Sequence, residues 1–366
     1  METRWSTRGG LGSSLKVLGT SRNAKQLQNP TSEYLIKNRD AWEAGLPAHV
    51  GLDAPKEIPT FIAIGGGKGG VGKSLLSANV AAKLGQAGFK VLLVDLDLGS
   101  ANLHTYFGLG MPKKSLADFI LYNRSPFEDI LLQTSAPGVL LAAGGKDESW
   151  SDTTDFGSGA FVGLWDAMLY AKKNFGINVV ILDLGAGTHR HTIDFFCSAH
   201  MGVITVLPEP TSIENAYSFL KATMWRIIEN AGMHCNSCAA ADEVKSILFN
   251  PQKSGKNGSH VRKLKLLHKQ YPELVDHIFY ALKGRQIGFV VNQIRSQRDI
   301  DIGNSMESVS RNYFGFLTRS LGYMNYDDAA WKSLRNRRLL VLDFPHCILT
   351  KRMSEVAANM LGSLGY

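Results

Sequence analysis

Four glycines, two lysines, a valine and a serine follow one another in Gly67-Lys68-Gly69-Gly70-Val71-Gly72-Lys73-Ser74. Glycines let a backbone curl tightly and aim several N–H groups at one point, and a following helix adds positive potential from its N-terminus. Such a loop docks phosphates. Lys73 is placed to reach the β- and γ-phosphates of a nucleoside triphosphate, and the Ser74 hydroxyl to ligate Mg²⁺. The stretch fits GxxxxGK[ST] in full. It also has the required setting: the apolar run PTFIAIG (59–65) lies before it, and Leu75, Ala78, Val80, Ala81 and Leu84 follow at helical spacing. The residues from Gly67 through Ser74, Lys68 and Val71 included, are therefore read as a phosphate-binding P-loop.

Carboxylates come next. In INVVILDLG (177–185) four apolar residues carry Asp183 to the C-terminal edge of a buried strand, beside the loop, where it can hold Mg²⁺ through a water. Gly185 and Gly187 follow it and let the backbone respond to a γ-phosphate. FKVLLVDLD (89–97) ends on Asp95 and Asp97. Water attacking a γ-phosphate needs positioning and some proton acceptance, and a carboxylate supplies both.

These groups must be held by a scaffold, and the pattern supplies one. Continuous Val/Ile/Leu runs occur at 59–65, 89–97, 139–145, 177–185, 201–208 and 286–293, with a further short strand expected in RLLVLDFP (338–345). Helical patterns lie between most of them. This predicts an α/β fold: a mostly parallel, doubly wound P-loop NTPase sheet with helices on both faces. Residues 1–57 show no sustained periodicity and read as a loosely ordered extension with short helices around 31–44. The ATPase domain is placed at 58–366. Between a helix near 212–230 and the strand at 286 lies a basic helical insertion at about 232–285, with nine Lys/Arg against four Asp/Glu, a net of +5. Its helical stretch carries Val261, Leu264, Leu267, Tyr271, Leu274, Ile278 and Leu282 near one face, and Pro272 is expected to break or kink it. The tail KRMSEVAANMLGSLGY reads as a helix with Met353, Val356, Ala357, Met360, Leu361 and Leu364 on one face.

Bulk properties narrow the classes. The chain has 366 residues, 44% of them hydrophobic, enough for a sizeable core, and a net charge of +8. No apolar run approaches the ~20 residues that span a bilayer, and the N-terminus shows no secretory pattern, so a cytoplasmic location is expected. Four cysteines are too few for a disulfide scaffold at this length. Cys235 and Cys238 form one CxxC, which supplies two ligands where a structural zinc site wants four.

KGGVGKS resembles the deviant Walker A motif of the MinD/ParA superfamily, and the resemblance continues through most of 58–231 and 286–366, nearest the MinD and flagellar FlhG branch. It implies ATP with Mg²⁺ as cofactors. It implies that Lys68 reaches across a dimer to the partner's nucleotide. VLLVDLDLGSANLHTYFGL (91–109) looks like the family's second motif, where the carboxylate matching Asp97 contacts the attacking water. There Asp95 matches a position near Mg²⁺ and its waters, and Asn102 a switch I asparagine. VVILDLGAG (179–187) looks like Walker B and switch II. In LPEPTSIENAY (207–217), Glu209 matches a position near the ribose or the dimer interface. In FVVNQIRS (289–296), Asn292 matches the adenine-contacting asparagine, and Pro345 in DFP matches a loop proline near the base. Three features depart from the pattern: the 1–57 extension lacks the flagellar branch's N-terminal activating motif, the insertion has no counterpart in a minimal MinD, and the tail has cations only at Lys351 and Arg352. The tail is therefore expected to pack on the core, in preference to anchoring to a membrane.

The function that follows is an ATPase acting as an ATP-dependent dimerisation switch that positions a cellular structure or complex. Its implied partners are a second copy of the chain and a protein partner or activator. The resemblance allows a peripheral-membrane or polar site. One alternative is a partition protein holding DNA without sequence preference through the basic insertion. Another is an Mrp-type iron–sulfur carrier, against which stand the position of the CxxC, well before Asn292, and the DLGAG sequence. The last is an adaptor that senses ATP without hydrolysing it.

Overall fold

The computed structural model describes residues 58–97, 101–120, 125–145, 158–250 and 258–366. The 1–57 extension and most of the polar loop at 250–260 lie outside the described residues. Among the described residues eight strands form one sheet in the order β3-β4-β2-β5-β1-β6-β7-β8. The strands are β1 Thr60–Gly65, β2 Val91–Leu96, β3 Leu131–Gln133, β4 Val139–Ala142, β5 Val179–Leu184, β6 Met201–Val206, β7 Gln286–Ile294 and β8 Leu317–Asn325. Every pairing is parallel except β3 with β4.

The continuous apolar runs have a simple reason. β1, β2, β5 and β6 are buried at every residue, because helices cover both faces of the sheet. Alternation then splits the core in two. Phe61 and Ala63 face one side with α4 (Ser158–Phe175), α5 (Arg190–Ser198) and α6 (Pro210–His234). Ile62 and Ile64 face the other with α1 (Lys73–Gln86). Two short helices, α2 (Leu103–Tyr106) and α3 (Leu116–Ile120), follow β2.

The insertion continues the long α6, and its own helices are α7 (Cys238–Phe249), α8 (His260–Leu267) and α9 (Pro272–Lys283). Pro272 does break the helical stretch. It opens α9 at its first turn, where a missing N–H costs nothing. Leu264, Leu274, Val275, Ile278 and Leu282 are buried and join the core on the α6 side. After β7 come α10 (Gln297–Val309), β8, α11 (Asp328–Arg335), α12 (Leu340–Asp343) and α13 (Ile348–Ser363).

One strand expectation fails. The run at 338–345 holds the one-turn helix α12, whose Val341 N–H donates to the buried Asn79 Oδ1 of α1 at 3.0 Å. Its apolar residues cover α1 and do not extend the sheet. The last strand is β8 at the sheet edge, whose sequence LTRSLGYMN mixes polar and apolar residues. Side chains occupy its backbone: the Ser320 N–H donates to Glu307 Oε2 at 2.8 Å, and Arg311 donates to the Thr318 carbonyl at 2.9 Å. The terminal helix packs as expected, with Met353, Val356, Ala357 and Met360 buried.

Candidate functional site

β1, β2 and β5 end side by side, and the loops leaving them converge. Residues 66–72 turn from β1 into α1. Gly70 and Gly72 have φ of 74° and 95°, a region open to glycine and strained for other residues. Close packing adds a second constraint. A Cβ on Gly72 would stand 2.2 Å from the Asn292 amide nitrogen, and one on Gly67 would stand 2.2 Å from the Asn215 carbonyl of α6. The loop is clamped from both sides by side chains and backbone of other elements.

Lys73 opens α1 and is 7% exposed. Its ammonium donates to the Lys68 carbonyl at 3.4 Å, which folds it back into the loop. Burial pushes its pKa down, and the nearby Asp183 and Asp97 carboxylates oppose that shift. The Ser74 hydroxyl lies close enough to Asp183 to favour its charged form. Ser77, one turn further along α1, donates to Asp183 Oδ1 at 2.7 Å. The second oxygen of Asp183 is buried and has no partner. Burial raises the Asp183 pKa to about 6, against the pull of Ser74, Ser77 and Lys73. A buried carboxylate oxygen left bare beside a serine hydroxyl, at the mouth of a phosphate loop, is a donor set of hard oxygens that suits Mg²⁺.

Asp95 is the register partner of Asp183 across β2 and β5. It is 1% exposed, and burial together with the Asp183 charge holds its pKa well above the usual carboxylate range. Its oxygens accept the backbone N–H groups of Leu103 at 3.1 Å and Asp97 at 3.3 Å. Asp95 thus pins both ends of the segment that carries Asp97 to α2. Asp97 lies against the segment after β5: its Oδ1 is 3.2 Å from where a Gly185 Cβ would be. The Gly187 N–H donates to the Gly66 carbonyl at 3.3 Å, joining the segment after β5 to the P-loop. Asn102 stands exposed at the N-cap of α2.

The remaining expected residues sit around this centre. Lys68 is half-exposed, and its ammonium donates to Glu209 Oε2 at 3.1 Å and Thr211 Oγ1 at 3.3 Å, at the start of α6. Asn292 is buried. Its amide donates to the Val71 carbonyl at 2.8 Å and its oxygen accepts the Gln293 N–H at 2.7 Å, so it braces the P-loop. Pro345 is exposed after α12. Sequence reasoning passed over Ser77, Asn215 and Thr211. The signal for Ser77 was its helical offset from Ser74, which puts both hydroxyls on one face of α1.

Comparison with known proteins bears on the family and the fold. The family model for the CobQ/CobB/MinD/ParA nucleotide binding domain matches residues 62–340. The antiactivator FleN of Pseudomonas aeruginosa is 33% identical over 176 residues, 46% of this chain and 60% of FleN. The flagellum site-determining protein YlxH of Helicobacter pylori is 34% identical over 165 residues, 44% of this chain and 52% of YlxH. The chain thus spans between half and two thirds of the length of these curated relatives. Among solved structures, the cell division ATPase MinD of Pyrococcus furiosus superposes with a TM-score of 0.53 at 21% identity, covering 83% of this chain and 99% of that one. The septum site-determining protein MinD of Pyrococcus horikoshii, complexed with Mg-ADP, gives 0.54 at 20% identity, covering 84% and 99%. At these identities the likeness is one of fold.

Proposed function

Because the chain belongs to the CobQ/CobB/MinD/ParA nucleotide-binding family, we propose that it hydrolyses ATP and acts as an ATP-dependent dimerisation switch that positions a cellular structure or complex. The observation that carries this reading is the convergence of Lys73, Ser74 and the bare oxygen of Asp183 on one loop mouth, with Asp97 against the following glycine. Lys73 and the backbone from Gly67 to Gly72 hold the β- and γ-phosphates. Ser74 and Asp183 would hold Mg²⁺, which when bound would supply positive charge to the phosphates. Asp97 orients the attacking water, and Asp95 fixes the segment that carries Asp97. Lys68 leaves Glu209 and Thr211 to reach the nucleotide of a second copy. The flagellar and septum site-determining names of the relatives support a positioning role, with a protein partner or activator to complete it.

The direct test is phosphate release and nucleotide-induced stabilisation by the full chain with ATP·Mg²⁺. The wild type should turn over slowly and gain thermal stability. Lys73→Ala should lose both, by more than tenfold in turnover. Equal turnover by wild type and Lys73→Ala would contradict the reading.

A second reading has one specific observation in its favour. No Asp or Glu occurs between residues 244 and 272, and Arg262, Lys265 and Lys269 are exposed along or just beyond α8. Such a stripe suits nucleic-acid phosphates, which would make the switch a DNA-bound one. The iron–sulfur reading gains nothing from the geometry. Cys235 and Cys238 lie at the far end of α6, about 37 Å along a 25-residue helix from Glu209. Among the described residues no group of three His, Cys, Asp or Glu is placed to hold a metal ion.

A further inference from the structure

We propose that His234 and His277 form a two-histidine site for a divalent transition metal of the Zn²⁺ class, which staples α9 of the insertion to the end of α6. His234 is the last residue of α6 and is exposed, and His277 lies half-buried on α9. Their imidazoles stand against each other, with ring centroids 4.8 Å apart and planes inclined at 44°. His277 Nδ1 lies 2.9 Å from the Glu273 carbonyl, one turn back on α9. A carbonyl can only accept, so Nδ1 carries a proton and donates it there, and in the neutral ring Nε2 keeps a lone pair. An imidazole with one nitrogen donating to the backbone and the other free is in the tautomer that ligates metals.

Both backbones are fixed before any metal arrives. After α6 the chain turns sharply at Asn236, whose φ is 51°. A Cβ on Gly232 would stand 2.5 Å from the Ala241 Cβ, so the end of α6 and α7 are in direct contact. On α9, Leu274, Val275 and Ile278 surround His277 in sequence and are buried in the core. A site carried on rigid elements keeps its geometry. The charge around the pair favours a cation. The C-terminal end of α6 is the negative end of its dipole. The Glu273 carboxylate acts here too: burial, and then its charge, push up the pKa of the Cys235 thiol beside His234. The class of metal follows from the ligands. Imidazole nitrogen suits Zn²⁺, Cu²⁺ and Ni²⁺, whereas Mg²⁺ takes oxygen ligands. Two protein ligands leave the other positions to water, in keeping with the absence of any three-ligand group among the described residues. The site is therefore an exchangeable clamp on the insertion, distinct from a closed structural zinc site.

The test is calorimetric titration of Zn²⁺ into the full chain, free of any purification tag, in excess Mg²⁺ and without nucleotide. Wild type should bind one equivalent, gain thermal stability reversed by a chelator, and slow amide hydrogen exchange in α9. His234→Ala and His277→Ala should each weaken Zn²⁺ by about tenfold or more. Without metal, the thermal midpoint of His234→Ala should equal that of wild type, because the side chain is exposed. Cys235→Ser with Cys238→Ser should bind Zn²⁺ as wild type does. Failure of wild type to bind Zn²⁺, or undiminished binding by the two His variants, would overturn the proposal. Weakened binding by the Ser double variant would assign the metal to the thiols and overturn it as well. Because no nucleotide is present, failure of the ATPase reading leaves this outcome unaffected.

Discussion

Asp183 is a buried carboxylate with one oxygen left unpaired. Its pKa is raised from 3.8 to about 6 by burial. The sign of the linkage follows. The folded chain keeps a proton that the unfolded chain releases at lower pH, so this group costs stability as pH rises through the window from 3.8 to about 6. The full cost is of the order of 3 kcal/mol. Asp183→Asn removes the titration and keeps an acceptor for Ser77. It should raise the thermal midpoint of the ligand-free protein at neutral pH, flatten the pH dependence across that window, and abolish stabilisation by ATP·Mg²⁺. A thermal melt series over pH, with and without nucleotide, checks this. A less stable variant that still gains from ATP·Mg²⁺ would show that Asp183 does not serve the metal. Lys73, Ser74 and Asp183 were legible in the sequence because loop and strand end are contiguous motifs with strict spacing. Ser77 and Asn215 were not, since their roles depend on which distant atoms α1 and the P-loop meet. Asn292 carries a contact of the same kind: its amide reaches across 221 residues of sequence to the Val71 carbonyl.

At the scale of elements, α6 joins two features that the sequence left apart. Its first turn holds Lys68 through Glu209 and Thr211, and its last turn leads into the insertion. The Lys68–Glu209 pair is partly exposed, with side-chain exposures of 35% and 53%, so its strength is small, roughly 0.2–1 kcal/mol. It is strong enough to bias Lys68 and weak enough to break. If Lys68 must be released to reach a second copy, two such pairs break per dimer, and Glu209→Ala should lower the protein concentration for half-maximal ATP-dependent dimerisation by about twofold at least and roughly thirtyfold at most. Sedimentation equilibrium at several concentrations measures it. A higher concentration requirement would instead show Glu209 contributing to the nucleotide or the partner. Legibility also varied by element. The buried parallel strands were read from their apolar runs, but β8 was passed over and α12 was expected as a strand. The edge strand is half polar, whereas LVL in α12 looks like a buried strand and is buried for another reason, as cover for α1. The antiparallel β3 is three residues long and has no pattern to read.

At the scale of the whole molecule, the sheet separates two cores and brings every loop of the site to one end. The α1 side closes with α12 and α13, and the α6 side carries the insertion. The terminal helix was expected on the core, and its buried Met353, Val356 and Met360 place it there. The result is a compact scaffold with three outward features: the P-loop mouth, the basic stripe of α8 and the imidazole pair where α6 meets α9. A switch needs the first to control association of two copies. The measurement that tests this most directly is the molar mass of Asp97→Ala by size exclusion with light scattering, in ATP·Mg²⁺ and then in ADP·Mg²⁺. Loss of the water-orienting carboxylate should trap the ATP state, so a dimer in ATP and a monomer in ADP is the predicted result. A monomer in both, with nucleotide shown to be bound, would contradict the switch.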